Sequence, residues 1–212
     1  MKNPPAAHAA SSRAYWLKTL HQWHWISSAL CLIGMLLFAF TGITLNHAAD
    51  IPATPVVQTL TAELPAALRE AIAPRDDEAD DAPLPPELSA WLGQELGLSL
   101  PSSAAEWSPD EIYLSLPRPG GDAWLRIERD SGAVEYERTE RGWVSYLNDL
   151  HKGRHTGVAW KWFLDIFSVA CLVFCITGLF ILKFHANARP STWPMVGAGL
   201  VIPLLLVILF IH

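Results

Sequence analysis

The window Trp25 to Leu45, WISSALCLIGMLLFAFTGITL, runs 21 residues without a charged side chain. At about 1.5 Å per helical residue it is long enough to cross a hydrocarbon layer of about 30 Å. A second apolar run, IFSVACLVFCITGLFIL, covers Ile166 to Leu182 and is approached through the tryptophan-rich AWKWFLD. A third, Trp193 to Ile211, starts behind Pro190 and Ser191 and is interrupted by Gly197, Gly199 and Pro203. Such residues are tolerated in a bilayer where neighbouring helices cover the freed carbonyls. Between the first two runs the pattern changes. LPAALREAIA and PELSAWLGQELG carry apolar residues at helical spacing, and the acidic, proline-broken segment between them, within 74–86, is expected to remain an unpacked linker. DEIYLSLPRPGGDAWLRIERDSGAVEYER then alternates as three strands, with turns at Pro119-Gly120-Gly121-Asp122 and Asp130-Ser131-Gly132.

The expected architecture is a membrane α-helical protein of three transmembrane helices, with a small α+β domain inserted between the first and second. The segments are a tail over 1–15, a first transmembrane helix over 16–48, the inserted domain over 49–142, an interfacial helix and second span over 143–186, and a third span over 190–212. With 51% hydrophobic residues and ten tryptophans, a purely soluble chain is not indicated.

Charge sets the expected orientation. All 21 acidic residues lie between Asp50 and Asp165, against 10 Lys and Arg there, for a net charge of −11. Lys2, Arg13 and Lys18 precede the first span, and Lys183 and Arg189 lie between the second and third. The positive-inside rule puts these basic segments in the cytoplasm and residues 50–155 outside, which for a bacterial inner membrane is the periplasm. The first span reads as a retained signal anchor, since no small-residue cleavage site follows a short apolar core. Cys31, Cys171 and Cys175 all fall within spans, where small apolar packing is the plain reading. The inserted segment 50–145 contains neither histidine nor cysteine, so it reads as a binding or docking domain.

The histidines gather elsewhere. His21 and His24 precede the first span and His47 follows it; His151 and His155 precede the second and His185 follows it. With the expected orientation, His47, His151 and His155 lie on the outer side and His21, His24 and His185 on the inner. Ionisable groups at a bilayer are functional candidates, although at the interface the desolvation cost is smaller than at the midplane. Three readings are open from residue types alone. Imidazoles from neighbouring helices can ligate a b-type haem, with Lys152 and Arg154 meeting its propionates. Histidines four residues apart can chelate a bare metal, with His47 as a third ligand. Or interfacial histidines, tryptophans and basic residues anchor helix ends to headgroups. His24 and His47 are 23 residues apart, about 34 Å along a straight helix, long for direct electron transfer between two haems held at its extremes.

LHQWHWISSALCLIGMLLFAFTGITLNH, followed after the inserted domain by YLNDLHKGRHTGVAWKWFLDIFSVACLVFCITGLFIL, resembles the PepSY-associated transmembrane helix family, in particular its short three-span members. The shared elements are the histidine ahead of the first span, the TGITLNH ending, and NDLHKGR with Trp160, Asp165 and a following TGL. The strands ending in RIERDSGAVEYER are similar to a PepSY half-repeat. The resemblance implies a relation to haem-containing ferric-siderophore reductases, and with it haem b, one or two per chain. His47 and His151 or His155 would then serve an outer haem, with His151 in the family's LH position. His24 or His21, opposite His185, would serve an inner one. It also implies an inner-membrane b-type cytochrome that passes electrons to a periplasmic acceptor such as a ferric siderophore. No G-x-G-x-x-G follows a strand, so the donor is expected to be a quinol or a cytoplasmic partner. Three helices enclose little, so a homodimer or heteromeric complex is expected, Gly197 and Gly199 allowing close approach; no nucleic-acid partner is expected. The alternative class is a non-enzymatic membrane-anchored PepSY docking module, or a metal-binding accessory of an uptake system.

Overall fold

The computed structural model describes residues 5–74, 80–100 and 104–211, with side chains from Ser12 onward. Among the described residues, three helices are long and apolar enough to cross a membrane: α1 (Pro5–Asn46), α5 (Gly157–His185) and α6 (Thr192–Phe210). They coincide with the three apolar runs of the sequence. Within the segment expected as a tail, residues 5–15 begin α1, whose alanine-rich start favours helix, and residues 1–4 lie outside the described residues. The helices present apolar side chains outward, and α6 has no buried residue. A helix apolar all round needs lipid or other helices around it, and its internal hydrogen bonds leave few backbone groups to satisfy.

The chain forms two compact units. One contains α1 through Leu37, α5 from Trp162 and α6. Within it α1 and α5 approach closely at Gly34, where an added Cβ would lie 2.4 Å from the Phe167 ring, so no larger residue fits without displacing that ring.

The other unit spans Phe38 to Lys161 and includes the inserted domain. Its centre is a six-stranded antiparallel sheet in the order β1-β6-β5-β4-β3-β2, comprising β1 (Val56–Glu63), β2 (Asp81–Pro83), β3 (Ala104–Trp107), β4 (Glu111–Ser115), β5 (Gly121–Glu128) and β6 (Ala133–Glu140). The three expected strands are β4, β5 and β6. The period of two buries Ile112 and Leu114, then Ala123, Leu125 and Ile127, then Val134 and Tyr136 on one face. Against that face lie Leu64 and Ile72, which flank α2 (Ala66–Ala71), and Leu88 and Leu92 of α3 (Pro86–Glu95).

Three strands were not expected. β1 is exposed at nearly every position, so its sequence VVQTLTAE has no buried apolar face to reveal it; its eight-residue pairing with β6 rests on backbone hydrogen bonds. β2 lies inside the expected linker. Residues 75–79 of that linker are outside the described residues, but Asp81–Pro83 pairs with Ala104–Glu106, and Trp107 Nε1 donates to the Ala82 carbonyl at 2.9 Å. Pro83 is tolerated because β2 is an edge strand.

Among the described residues, one charged side chain is buried in this domain. Arg129 is 3% exposed; its Nε donates to the Ile72 carbonyl at 2.7 Å and its Nη1 to the Ser108 carbonyl at 2.6 Å, with the guanidinium 5.4 Å from the Trp107 ring centre. It thereby ties the end of α2 to the β3–β4 turn. Replacing it with an apolar residue leaves two carbonyls without these donors. Arg129→Met is expected to destabilise the domain by about 2–4 kcal/mol, seen as a lower urea midpoint by tryptophan fluorescence of the full chain in detergent.

Candidate functional site

The site begins with α4 (Trp143–Lys152), which closes the inserted domain. Successive polar residues of YLNDLH reach different partners. Asp149 Oδ2 accepts a hydrogen bond from the Gly120 backbone N–H at 2.9 Å, fastening α4 to the β4–β5 connection. Gly120 has φ +74°, and a Cβ there would lie 2.8 Å from the Tyr146 backbone, so the approach requires glycine. Asn148 is buried and accepts from the Thr44 hydroxyl through Oδ1 at 2.9 Å. His151, one turn further, reaches Thr41, its Nδ1 lying 2.7 Å from the Thr41 hydroxyl oxygen. The TGIT turn of α1 is thus the docking face for NDLH of α4, which is why both motifs carry small or polar residues inside otherwise apolar surroundings.

α4 ends at Gly153, in the left-handed region at φ 66°, and His155 adopts φ 56°. Trp160 Nε1 donates to the Leu150 carbonyl at 2.9 Å and so satisfies one carbonyl of the final turn of α4. His155 is exposed at this reversal, while His151 is partly buried on α1. The side chains of Lys152 and Arg154 are exposed and make no ion pair among the described residues.

Histidine seats of the same composition occur in both units. His151 packs on Phe38, ring centres 4.9 Å apart, with Thr41 as its hydrogen-bond partner and Gly42 3.6 Å from its Cε1 as measured to an added Cβ. His24 stacks on Phe174 at 4.6 Å and 16°, its Nδ1 lies 3.0 Å from the Thr177 hydroxyl oxygen, and a Cβ at Gly178 would come within 3.3 Å of its Cε1. Both seats read F-x-x-T-G, placing Phe, Thr and Gly at i, i+3 and i+4 on one helix face. The ring lies on Phe, donates to Thr and passes over Gly. This repeat is the signal that reading the sequence for histidines alone missed.

The remaining histidines have their own oxygens. His21 Nδ1 donates to the Leu17 carbonyl and His185 Nδ1 to the Ile181 carbonyl, each at 2.8 Å. The two rings are brought together, centres 6.2 Å apart and nearly perpendicular at 87°. His47 is exposed, its Nδ1 3.2 Å from Asp50 Oδ2. His47 and His151 therefore engage different partners, Asp50 and Thr41. Along α1, Thr41 and His47 differ by about 9 Å of helix rise.

These contacts assign the tautomers. A carbonyl or carboxylate oxygen only accepts, so Nδ1 of His21, His185 and His47 carries the proton. The Thr41 hydroxyl donates to the Phe38 carbonyl at 3.2 Å and that of Thr177 to the Val173 carbonyl at 2.7 Å, so each accepts from its histidine. Among the six histidines with described side chains, five hold Nδ1–H against oxygen and leave the Nε2 lone pair available. A metal-ligating imidazole is held in this way, its second nitrogen donating to an oxygen that fixes ring and tautomer. The chemistry of the donor set therefore fits haem iron. Among the described residues, no group of three or more His, Cys, Asp or Glu is gathered as a bare-metal site.

Fold and site together define a membrane-anchored protein with an inserted antiparallel sheet domain and oriented histidines near the helix ends. A family model described as "Putative PepSY_TM-like" matches residues 15–212, and the chain belongs to that family. No curated protein and no solved structure matches it.

Thr41→Val removes the acceptor for His151 and is expected to cost about 1 kcal/mol of stability. Nitrogen-15 NMR of histidine-labelled protein, at a pH where imidazole is neutral, should show His151 as Nδ1–H in the natural chain and a shift toward Nε2–H in Thr41→Val, with Thr41→Ser restoring the original signal. An unaltered His151 signal in Thr41→Val would mean that the hydroxyl does not select the tautomer.

Proposed function

We propose that this membrane-anchored PepSY protein is a bacterial inner-membrane b-type cytochrome, with its N-terminus cytoplasmic, that delivers electrons to an acceptor on the opposite side, ferric siderophore iron being the acceptor class. The observation that carries this reading is the common tautomer: His21, His24, His47, His151 and His185 all direct Nδ1–H to an oxygen and keep Nε2 as a donor of electron density. Headgroup anchoring demands no such uniformity, because either ring nitrogen hydrogen-bonds to water or phosphate equally well.

His21 and His185, whose rings the fold brings together with centres 6.2 Å apart, would hold an inner haem. His151 would provide a ligand of an outer one, which His47 would join only by leaving Asp50 and closing the rise of about 9 Å that separates it from Thr41 along α1. Lys152 and Arg154, exposed and without ion pairs among the described residues, would meet propionates. Haem would supply one-electron transfer; the chain's own residues would hold the histidine rings and select their tautomer. Electrons would come from a quinol or a cytoplasmic partner.

The test is optical. Detergent-solubilised protein from haem-replete cells is expected to give sharp α and Soret bands on dithionite reduction. His151→Ala should lower haem per chain, by about half if two are bound, while His21→Ala with His185→Ala should remove the complementary fraction. A colourless preparation, or undiminished haem in all three variants, defeats the proposal.

A further inference from the structure

The buried face of the sheet does not end in an apolar residue. Along β6 the positions on that face run Val134, Tyr136, Arg138, and Arg138 is paired in register with Ala123 of β5, whose small side chain leaves space beside the guanidinium. The space is a cavity of about 900 Å³, at the upper end of the range for small-molecule sites. Leu98 and Leu116 contribute to its apolar wall; Arg118, Arg138, Tyr136 and Tyr146 contribute its polar groups.

Its charge is unlike that of the segment around it. Between Asp50 and Asp165 carboxylates outnumber Lys and Arg by 21 to 10, yet the cavity is lined by two arginines and no carboxylate. Arg138 Nη2 engages Glu140, while its Nε is buried without a hydrogen-bond partner; Arg69 Nε is too, but of the two only Arg138 lines the cavity. Arg118 makes no ion pair among the described residues. A guanidinium donor shielded from water and left unpaired is costly unless an acceptor arrives, and the acidic exterior would repel anions that the cavity does not specifically hold.

We propose that this cavity binds a small organic anion with an apolar body, specifically an anionic ferric chelate whose oxygen donors meet Arg118 and Arg138 while its ligand framework lies against Leu98, Leu116 and the tyrosines. That the ligand is the electron acceptor rests on the function proposed above; that it is an anion does not. Placement supports the link. Tyr146 on the cavity wall and His151 on Phe38 and Thr41 belong to the same helix, five residues or about 8 Å of rise apart. α4 therefore carries a cavity wall near one end and the seated histidine near the other.

The experiment is isothermal titration calorimetry on the full chain in nonionic detergent, with ferric tris-catecholate, a trianion, and the neutral ferric tris-acetohydroxamate as probes. The trianion is expected to bind at least tenfold more tightly than the neutral complex. Arg118→Gln and Arg138→Gln should each weaken it by about tenfold to a hundredfold, the range for losing one charge-assisted hydrogen bond. Arg118→Lys, which keeps the charge, should stay within about tenfold of the natural chain. Equal affinity for the two probes, no binding of either, or unchanged affinity in Arg118→Gln at an unchanged thermal midpoint overturns the proposal. Haem is read from the same preparations: selective, arginine-dependent binding by a colourless protein upholds the cavity and removes only its role as an acceptor site.

Discussion

The hydrogen bond from His151 Nδ1 to the Thr41 hydroxyl, 2.7 Å long, is the constraint around which the junction of α4 with the end of α1 is arranged. An imidazole partly removed from water must satisfy one donor and one acceptor, and committing the donor to Thr41 determines what remains. The ring cannot turn without losing Phe38, and α4 cannot slide along α1 without also breaking Thr44 to Asn148. α4 in turn holds the β4–β5 connection through Asp149 and Gly120, which brings Tyr146 to the cavity. A single register between two short motifs thus fixes a helix, a loop and a cavity wall. At about 1 kcal/mol per hydrogen bond the individual contacts are modest, and the arrangement gains its definition from their sharing one rigid helix.

The parts of the fold legible in the sequence are those where physics restricts composition over many adjacent residues. A bilayer demands about 20 uncharged positions, so α1, α5 and α6 announce themselves. A half-buried strand demands alternation, and β4 to β6 show it. β1 and β2 place no such demand on side chains: β1 is exposed along its length and β2 is three residues of an acidic, proline-containing segment, so their pairing could not be read from apolar pattern.

The candidate site divides in the same way. Histidines near span ends are conspicuous, and charge supplies an expectation of the side on which each lies. Which oxygen each ring meets was not legible, because His24 and Thr177 are 153 residues apart and His151 and Thr41 are 110 apart. The seats themselves, F-x-x-T-G twice, look like ordinary span sequence until a ring is found lying on them. Arg118 and Arg138 were hidden for another reason. In sequence they are two among ten basic residues of an acidic segment, and only the β5–β6 register and the loop before Gly120 put both at one cavity.

The acidity of the inserted segment takes on a different meaning once the cavity is located. A uniformly acidic surface is adequately explained by solubility and by repulsion between copies of the domain. It does not explain why an open, carboxylate-free cavity with two arginines interrupts that surface. Burying a guanidinium costs free energy that the fold recovers at Arg129, where Nε and Nη1 meet carbonyls at 2.7 and 2.6 Å. Arg138 is partly exposed, with Glu140 at one terminal nitrogen, but its Nε is shielded and has no partner. Arg69 Nε, against Gly132, is likewise buried without a partner but does not line the cavity. The coincidence at Arg138 of an unpaired Nε with open space lined by a second arginine is the physical ground for treating the cavity as a place where an anion completes the hydrogen bonding.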